Sequence, residues 1–331
     1  MNEIHNNNDE TVAPEDGMQT QKSTTHKLIG GVVVVLGLIG IFILADWIGI
    51  KSPQIASETP KDTSVPFVNP FSDLSLEAKA AYVFDVREQK VLFAHNEEVQ
   101  LPLASLTKLM AALVVHTSLD QKTIVSIDAH AIAKEGDSGF SIGEKWLVTD
   151  LIDFALIESS NDAINALASV ASFKLVGTDD PRLQENAFIQ EMNRTANNVG
   201  LTQTYFVNET GLDNGVYLSG GYGSARDMAQ LFEYILLEAP NVVAATRYSE
   251  LDIRSFSSVY TAHNTNNSIG SIPGLIASKT GFTDLAGGNL IIAFDAGIGH
   301  PIIVSVLGAT RESRFTDVHK LADSAFSYIN R

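Results

Sequence analysis

Leu103-Ala104-Ser105-Leu106-Thr107-Lys108-Leu109-Met110 opens a run that stays almost wholly apolar to Leu119. A helix over 106–119 with so little polar face is buried on every side, so the stretch predicts the central helix of a domain. Ser105 stands where that helix begins, shortly after Pro102. The positive end of the helix dipole there favours a developing alkoxide. Lys108 follows at i+3 and shares its face. An amine among Leu106, Leu109, Met110 and Leu113 is desolvated, and loss of water disfavours its charged form. A neutral amine beside a hydroxyl is what an activated serine nucleophile requires.

Ser-x-x-Lys alone carries little, since a chain of this length holds about one by accident, as it does about one Ser-x-Asn. Order and context supply the weight. Ser159-Ser160-Asn161 lies between an apolar helix ending at Glu158 and another starting at Asp162. Such a tight link pushes a hydroxyl and an amide into a cleft, although an ordinary helix cap uses the same residues. Ser159 is expected to relay a proton between Lys108 and a leaving amine. Asn161 is expected to hydrogen-bond both Lys108 and a substrate amide. Lys279-Thr280-Gly281 reads as a strand facing that cleft, with Lys279 and Thr280 offering a charge and a hydroxyl to a carboxylate. Gly281 is expected to let a substrate backbone approach. The N–H groups of Phe282 and Ser105 are expected to form an oxyanion hole.

Around these motifs the chain reads as an α+β domain. Strand-like runs at 80–84 and 91–94, joined by a polar turn at 87–90, predict a hairpin. Helices are expected over 149–158, 162–171, 185–199 and 225–237, the last capped by Ser224. Strands return at 250–255, 259–263, 276–279, 289–294 and 302–307, and a helix over 312–329 closes the chain. Strands at both ends with helices between predict a central antiparallel sheet built from both chain ends, flanked by helices, beside a helical lobe.

Composition narrows the function. With 45% apolar and 18% charged residues the chain is a folded protein, and its formal charge of -17 excludes a nucleic-acid partner, which needs a Lys/Arg excess. It has no cysteine, hence no disulfide, thiolate metal site or cysteine nucleophile. The histidines form no metal-ligand spacing, and neither metal nor cofactor is expected; His263 and His319 are read as structural. Residues 28–50 are apolar apart from Asp46 and flanked by Lys27 and Lys51, long enough to span a bilayer. The preceding 1–27 is a polar tail, too long and acidic for a cleaved leader, and Lys22 and Lys27 favour its lying in the cytoplasm. Residues 51–72, with Pro53, Pro60, Pro66 and Pro70, read as a tether, and 73–331 as the catalytic domain. The expectation is a single-pass protein of the cell membrane with its body on the outer side.

The motifs together resemble the low-molecular-mass penicillin-binding proteins, the serine-type D-Ala-D-Ala carboxypeptidases of peptidase family S11. Besides the blocks quoted, Asn208-Glu209-Thr210-Gly211-Leu212, Asn264-Thr265-Asn266, Ala286-Gly287 and Val306-Leu307-Gly308-Ala309 carry the likeness, which covers roughly 74–331. The resemblance implies a β-lactamase/transpeptidase-like fold and a serine acyl-enzyme. It also implies removal of the terminal D-Ala from peptidoglycan stem peptides, and covalent inhibition by β-lactams. Three departures stand out. Ser160 replaces a frequent glycine, and Phe282 follows Lys-Thr-Gly where many members have His or Tyr. The β-rich domain and amphipathic anchor that often follow are not in this sequence, so the N-terminal span is expected to anchor it. Arg314 falls where some members place an arginine near the substrate carboxylate. A D,D-endopeptidase of peptide cross-links needs the same residues. A β-lactamase is disfavoured, because no Glu-x-x-Leu-Asn follows the second motif. An inactive wall-peptide binding module is disfavoured by the intact Ser105, Lys108, Ser159 and Lys279.

Overall fold

A computed structural model describes residues 68–330, apart from Lys134 and Asp179. In chain order the elements are β1 (Ala80–Asp85), β2 (Lys90–His95), β3 (Leu101–Pro102), α1 (Thr107–Ser118), β4 (Ile124–Ser126), β5 (Lys145–Leu147), α2 (Val148–Ile157), α3 (Asn161–Val176) and α4 (Pro181–Val199). There follow β6 (Tyr205–Phe206), β7 (Gly221–Gly223), α5 (Ala225–Glu238), β8 (Glu250–Arg254), β9 (Val259–His263), β10 (Leu275–Thr283), β11 (Gly287–Asp295), β12 (Pro301–Ala309) and α6 (Ser313–Ile329).

Five strands form the main antiparallel sheet in the order β10-β11-β12-β1-β2, so the N-terminal hairpin adds to the C-terminal meander, as expected. Alternation divides the core in two. Ala80, Tyr82, Ala277, Ile291, Ala293, Ile303 and Leu307 face the helical lobe. Ala81, Val83, Leu290, Ile292, Ile302, Val304 and Val306 pack on the other face with Val318 and Leu321 of α6. Both faces are covered, which is why 302–307 reads as a nearly unbroken apolar run rather than an alternating one.

Within the lobe, α1 is buried from Thr107 through Val115 on all sides, as its composition demands. Ser224 caps α5 by accepting from Asp227 N at 3.0 Å. Two helices run longer than their apolar patterns. α3 continues to a left-handed Gly177 cap, and α4 starts four residues early because Asp180 caps it with Pro181 at the first position.

The expected tail at 1–27, span at 28–50 and most of the tether lie outside the described residues. Among the described residues no helix is long and apolar enough to cross a membrane. The last part of the expected tether belongs to the folded body. Phe71 is only 5% exposed and stacks on Phe93 at 5.6 Å, while the Pro70 carbonyl accepts from Ser324 Oγ at 3.1 Å. An aromatic ring that can cover a sheet end outweighs the polar, proline-rich composition around it. Phe71→Ala is therefore expected to cost about 2–4 kcal/mol of unfolding free energy, measured by denaturant titration; a loss below about 0.5 kcal/mol would return this residue to the tether.

Candidate active site

The turn bearing Ser105 is tight. Residues 104–106 form a 3-10 turn that runs directly into α1, and Ala104 before Ser105 holds φ +49. The loop at 208–212 closes on this turn. A Cβ on Gly211 would lie 1.9 Å from the Ala104 carbonyl oxygen, so only glycine fits there. Asn208 Oδ1 accepts from Gly211 N at 2.7 Å and Thr210 N at 3.2 Å, fixing the loop so that the Thr210 carbonyl points at Lys108.

Lys108 has no solvent exposure. Its Nζ lies 3.1 Å from Ser105 Oγ, 2.6 Å from Asn161 Oδ1 and 2.8 Å from Thr210 O. Burial pushes its pKa down to about 7, against a smaller upward pull from the Glu209 carboxylate. The neutral amine has two hydrogens and one lone pair. Asn161 Oδ1 and the Thr210 carbonyl can only accept, so they take the hydrogens and leave the lone pair for the Ser105 hydroxyl proton.

Ser159 holds φ +62, which turns its hydroxyl out of the link between α2 and α3. Ser160, at the position where glycine is frequent, has an ordinary φ of -64 and caps α3 by accepting from Ala163 N. The strain thus falls on the preceding serine, and no glycine is needed at 160.

The structure revises two expected contacts, those of Lys279 and Gly281. Lys279 does not present its charge to the cleft. Its buried Nζ donates to Ser159 Oγ at 2.8 Å and to the Thr280 carbonyl at 2.8 Å. Burial and the nearby Lys108 and Arg314 hold this amine well below the usual lysine range. Asn161 accepts from Lys108 with its oxygen, as expected, and donates from Nδ2 to the Glu135 carbonyl at 2.7 Å, so it anchors the lysine. Gly281 is required by the protein's own backbone, since a Cβ there would lie 2.9 Å from Leu103 O and 3.1 Å from Ser105 N. That approach seats edge strand β10 against the Ser105 turn. Asn289 secures it from below, donating to the carbonyls of Pro102 and Leu103 at 3.0 Å each.

A cleft of about 510 Å³ opens over these groups, and its lining includes Ser105, Ser159, Thr265, Thr280, Gly281, Phe282, Arg311, Glu312, Arg314 and Phe315. Thr265 Oγ1 and Thr280 Oγ1 share a 2.5 Å hydrogen bond. Ser278 N donates to Thr246 Oγ1, off the free edge of β10, and strand alternation sets the Phe282 N–H on that same edge. Arg314 is 7% exposed, donates from Nη1 to Gly281 O at 2.8 Å, and keeps a buried Nε without an acceptor. Sequence reasoning gave no role to Thr210, Thr265 or Asn289; the only signal was their membership in the 208–212 and 264–266 blocks, or, for Asn289, a polar residue in an apolar strand.

Over residues 67–311 the sequence matches peptidase S11, the D-alanyl-D-alanine carboxypeptidases, and the chain belongs to this family. It is 31% identical over 262 residues to D-alanyl-D-alanine carboxypeptidase DacF of Bacillus subtilis, covering 77% of this chain and 64% of that protein. It is 31% identical over 269 residues to a D-alanyl-D-alanine endopeptidase of Pseudomonas aeruginosa, covering 78% of this chain and 77% of the relative. Penicillin-binding protein D2 of Listeria monocytogenes, solved in its ampicillin-bound form, superposes with a TM-score of 0.62 at 30% identity, covering 77% of this chain and 99% of that one. The β-lactamase/transpeptidase-like fold expected from the motifs is the fold found.

An amine at about 7 serves as base only once it has lost its proton, so the rate of Ser105 acylation is expected to rise from about pH 6 to pH 8 and then level off. Stopped-flow acylation across that range checks it, and a rate flat from pH 5 to 9 would contradict the assignment.

Proposed function

We propose that this protein is a membrane-anchored serine-type carboxypeptidase that removes the terminal D-Ala from peptidoglycan stem peptides through a Ser105 acyl-enzyme. The observation that carries the reading is the Lys108 amine 3.1 Å from Ser105 Oγ, with acceptors occupying its other positions. In this reading Ser105 Oγ attacks the carbonyl carbon of the penultimate D-Ala and its proton passes to Lys108. The N–H groups of Ser105 and Phe282 hold the oxyanion, each donor worth about 3 kcal/mol. Collapse breaks the amide bond. The departing amine takes its proton by way of Ser159, which Lys279 holds in place. Water then attacks the ester, returns Ser105 and releases the shortened stem. Thr280, Thr265 and Arg314, which line the cleft, are the residues that offer donors to the leaving residue's carboxylate.

Neither metal nor cofactor takes part in this scheme. β-Lactams acylate Ser105 by the same steps, a reading supported by the ampicillin-bound Listeria relative. The apolar segment 28–50 supports anchorage with the body outside the membrane. A second reading, cleavage of peptide cross-links, is favoured by the Pseudomonas endopeptidase, which this chain matches at the same identity as DacF.

Fluorescent penicillin is expected to label the wild type stoichiometrically and Ser105→Ala not at all, and Lys108→Ala should label about 10²–10⁴-fold more slowly. Persistent labelling of Ser105→Ala would overturn the nucleophile. Product analysis on a pentapeptide stem and on a cross-linked dimer then separates the two readings by whether free D-Ala or monomer stems appear faster. Removing residues 1–66 is expected to leave a soluble, penicillin-reactive body.

A further inference from the structure

Beyond the groups used above, the cleft carries a second arginine, and its setting differs from that of Arg314. Arg314 is buried and bonded to the β10 backbone, a fixed donor close to Thr280. Arg311 is exposed, yet its guanidinium carbon lies 3.9 Å from the centroid of the Phe282 ring. Stacking uses only the π face of the guanidinium. Its N–H donors radiate in the plane and stay free to form a paired contact with a carboxylate. No carboxylate forms an ion pair with Arg311 among the described residues, although Glu312 also lines the cleft and is the sole acid in that lining. The apolar faces of Phe282 and Phe315 border the same space and suit an aliphatic arm. In a chain of net charge -17, a cationic rim on the catalytic cleft is a local inversion of sign.

We propose that Arg311, packed over the Phe282 ring, forms a second anion subsite on the leaving-group side of the cleft. It favours substrates whose departing residue bears a side-chain carboxylate in addition to its α-carboxylate. The inference rests on the acyl-transfer reading above and adds a substrate class to it: a leaving amino diacid over a leaving residue with a neutral or basic side chain. Bond-making and proton transfer are unchanged; only the affinity for the departing portion differs.

The test uses the full chain and acylated peptides ending in D-Ala-D-Ala, D-Ala-D-Glu or D-Ala-D-Lys, with kcat/KM measured for the wild type, Arg311→Ala, Arg311→Lys and Phe282→Leu. The wild type is expected to prefer D-Glu over D-Lys by about tenfold. That ratio should fall to about 1–2 in Arg311→Ala, persist in part in Arg311→Lys, and be intermediate in Phe282→Leu, which keeps the N–H but removes the ring. Stoichiometric penicillin labelling certifies each variant as folded. A wild-type ratio near one, or a ratio that survives Arg311→Ala, overturns the subsite. If the wild type turns over none of the peptides, the carboxypeptidase reading fails. The subsite is then read from competition of the D-Glu and D-Lys peptides against fluorescent penicillin, where the same tenfold preference and its loss in Arg311→Ala are required.

Discussion

Two lysine amines, Lys108 and Lys279, are kept from solvent at the junction between the sheet edge and the helical lobe. Every other feature of the site follows from making that burial tolerable. A charged ammonium without water is expensive, so the fold surrounds each amine with acceptors and lets its proton affinity fall. For Lys108 the acceptors are a side-chain amide from α3 and a carbonyl from the 208–212 loop. For Lys279 they are Ser159 and the adjoining strand carbonyl. The two amines also repel one another, which lowers Lys279 further. The arrangement costs folding energy and yields a Lys108 amine that exchanges its proton near neutral pH, beside a Lys279 amine held well below the usual lysine range.

Backbone strain completes the arrangement. Ala104 and Ser159, neither of them glycine, hold left-handed conformations at +49 and +62 beside the two hydroxyls that matter. Each costs on the order of 1 kcal/mol and persists because its surroundings over-determine it. At Ala104 the constraint comes from Gly211 and Gly281, which allow a loop and an edge strand to come within contact of the Ser105 turn where a methyl group would collide. The two glycines and Ala104 thus form one device around the Ser105 turn. It sets Ser105, Lys108 and the β10 edge at fixed spacing, and such preorganisation is what transition-state stabilisation requires.

The sheet and the central helix were legible in the sequence because burial on both faces leaves a dense apolar trace. α1 was expected over 106–119 and spans Thr107–Ser118, and β12 was expected over 302–307 and spans Pro301–Ala309. Ser105, Lys108, Ser159, Thr280 and Phe282 were found by spacing, and the structure draws them into one cleft or directly behind it. The direction of side chains was not legible. Lys279 read as a cleft cation because an exposed strand lysine is the ordinary case, and only the position of Ser159, distant in sequence, turns it inward. Gly281 read as a space for substrate, whereas its neighbour is the Leu103–Ser105 backbone. The Thr210 carbonyl was invisible because a backbone acceptor has no residue signature. Arg311 and Phe282 meet through a turn that no local pattern encodes.

The most direct measurement of the central claim is the titration of the lysine side chains themselves, followed by the Cε resonances of selectively labelled protein. Buried, desolvated amines predict a resonance that titrates near pH 7 and disappears from the spectrum of Lys108→Arg, with a second depressed resonance lost in Lys279→Arg. If every lysine in the folded protein titrates in the ordinary range above about pH 10, the amines are solvated cations and the account of the site is wrong.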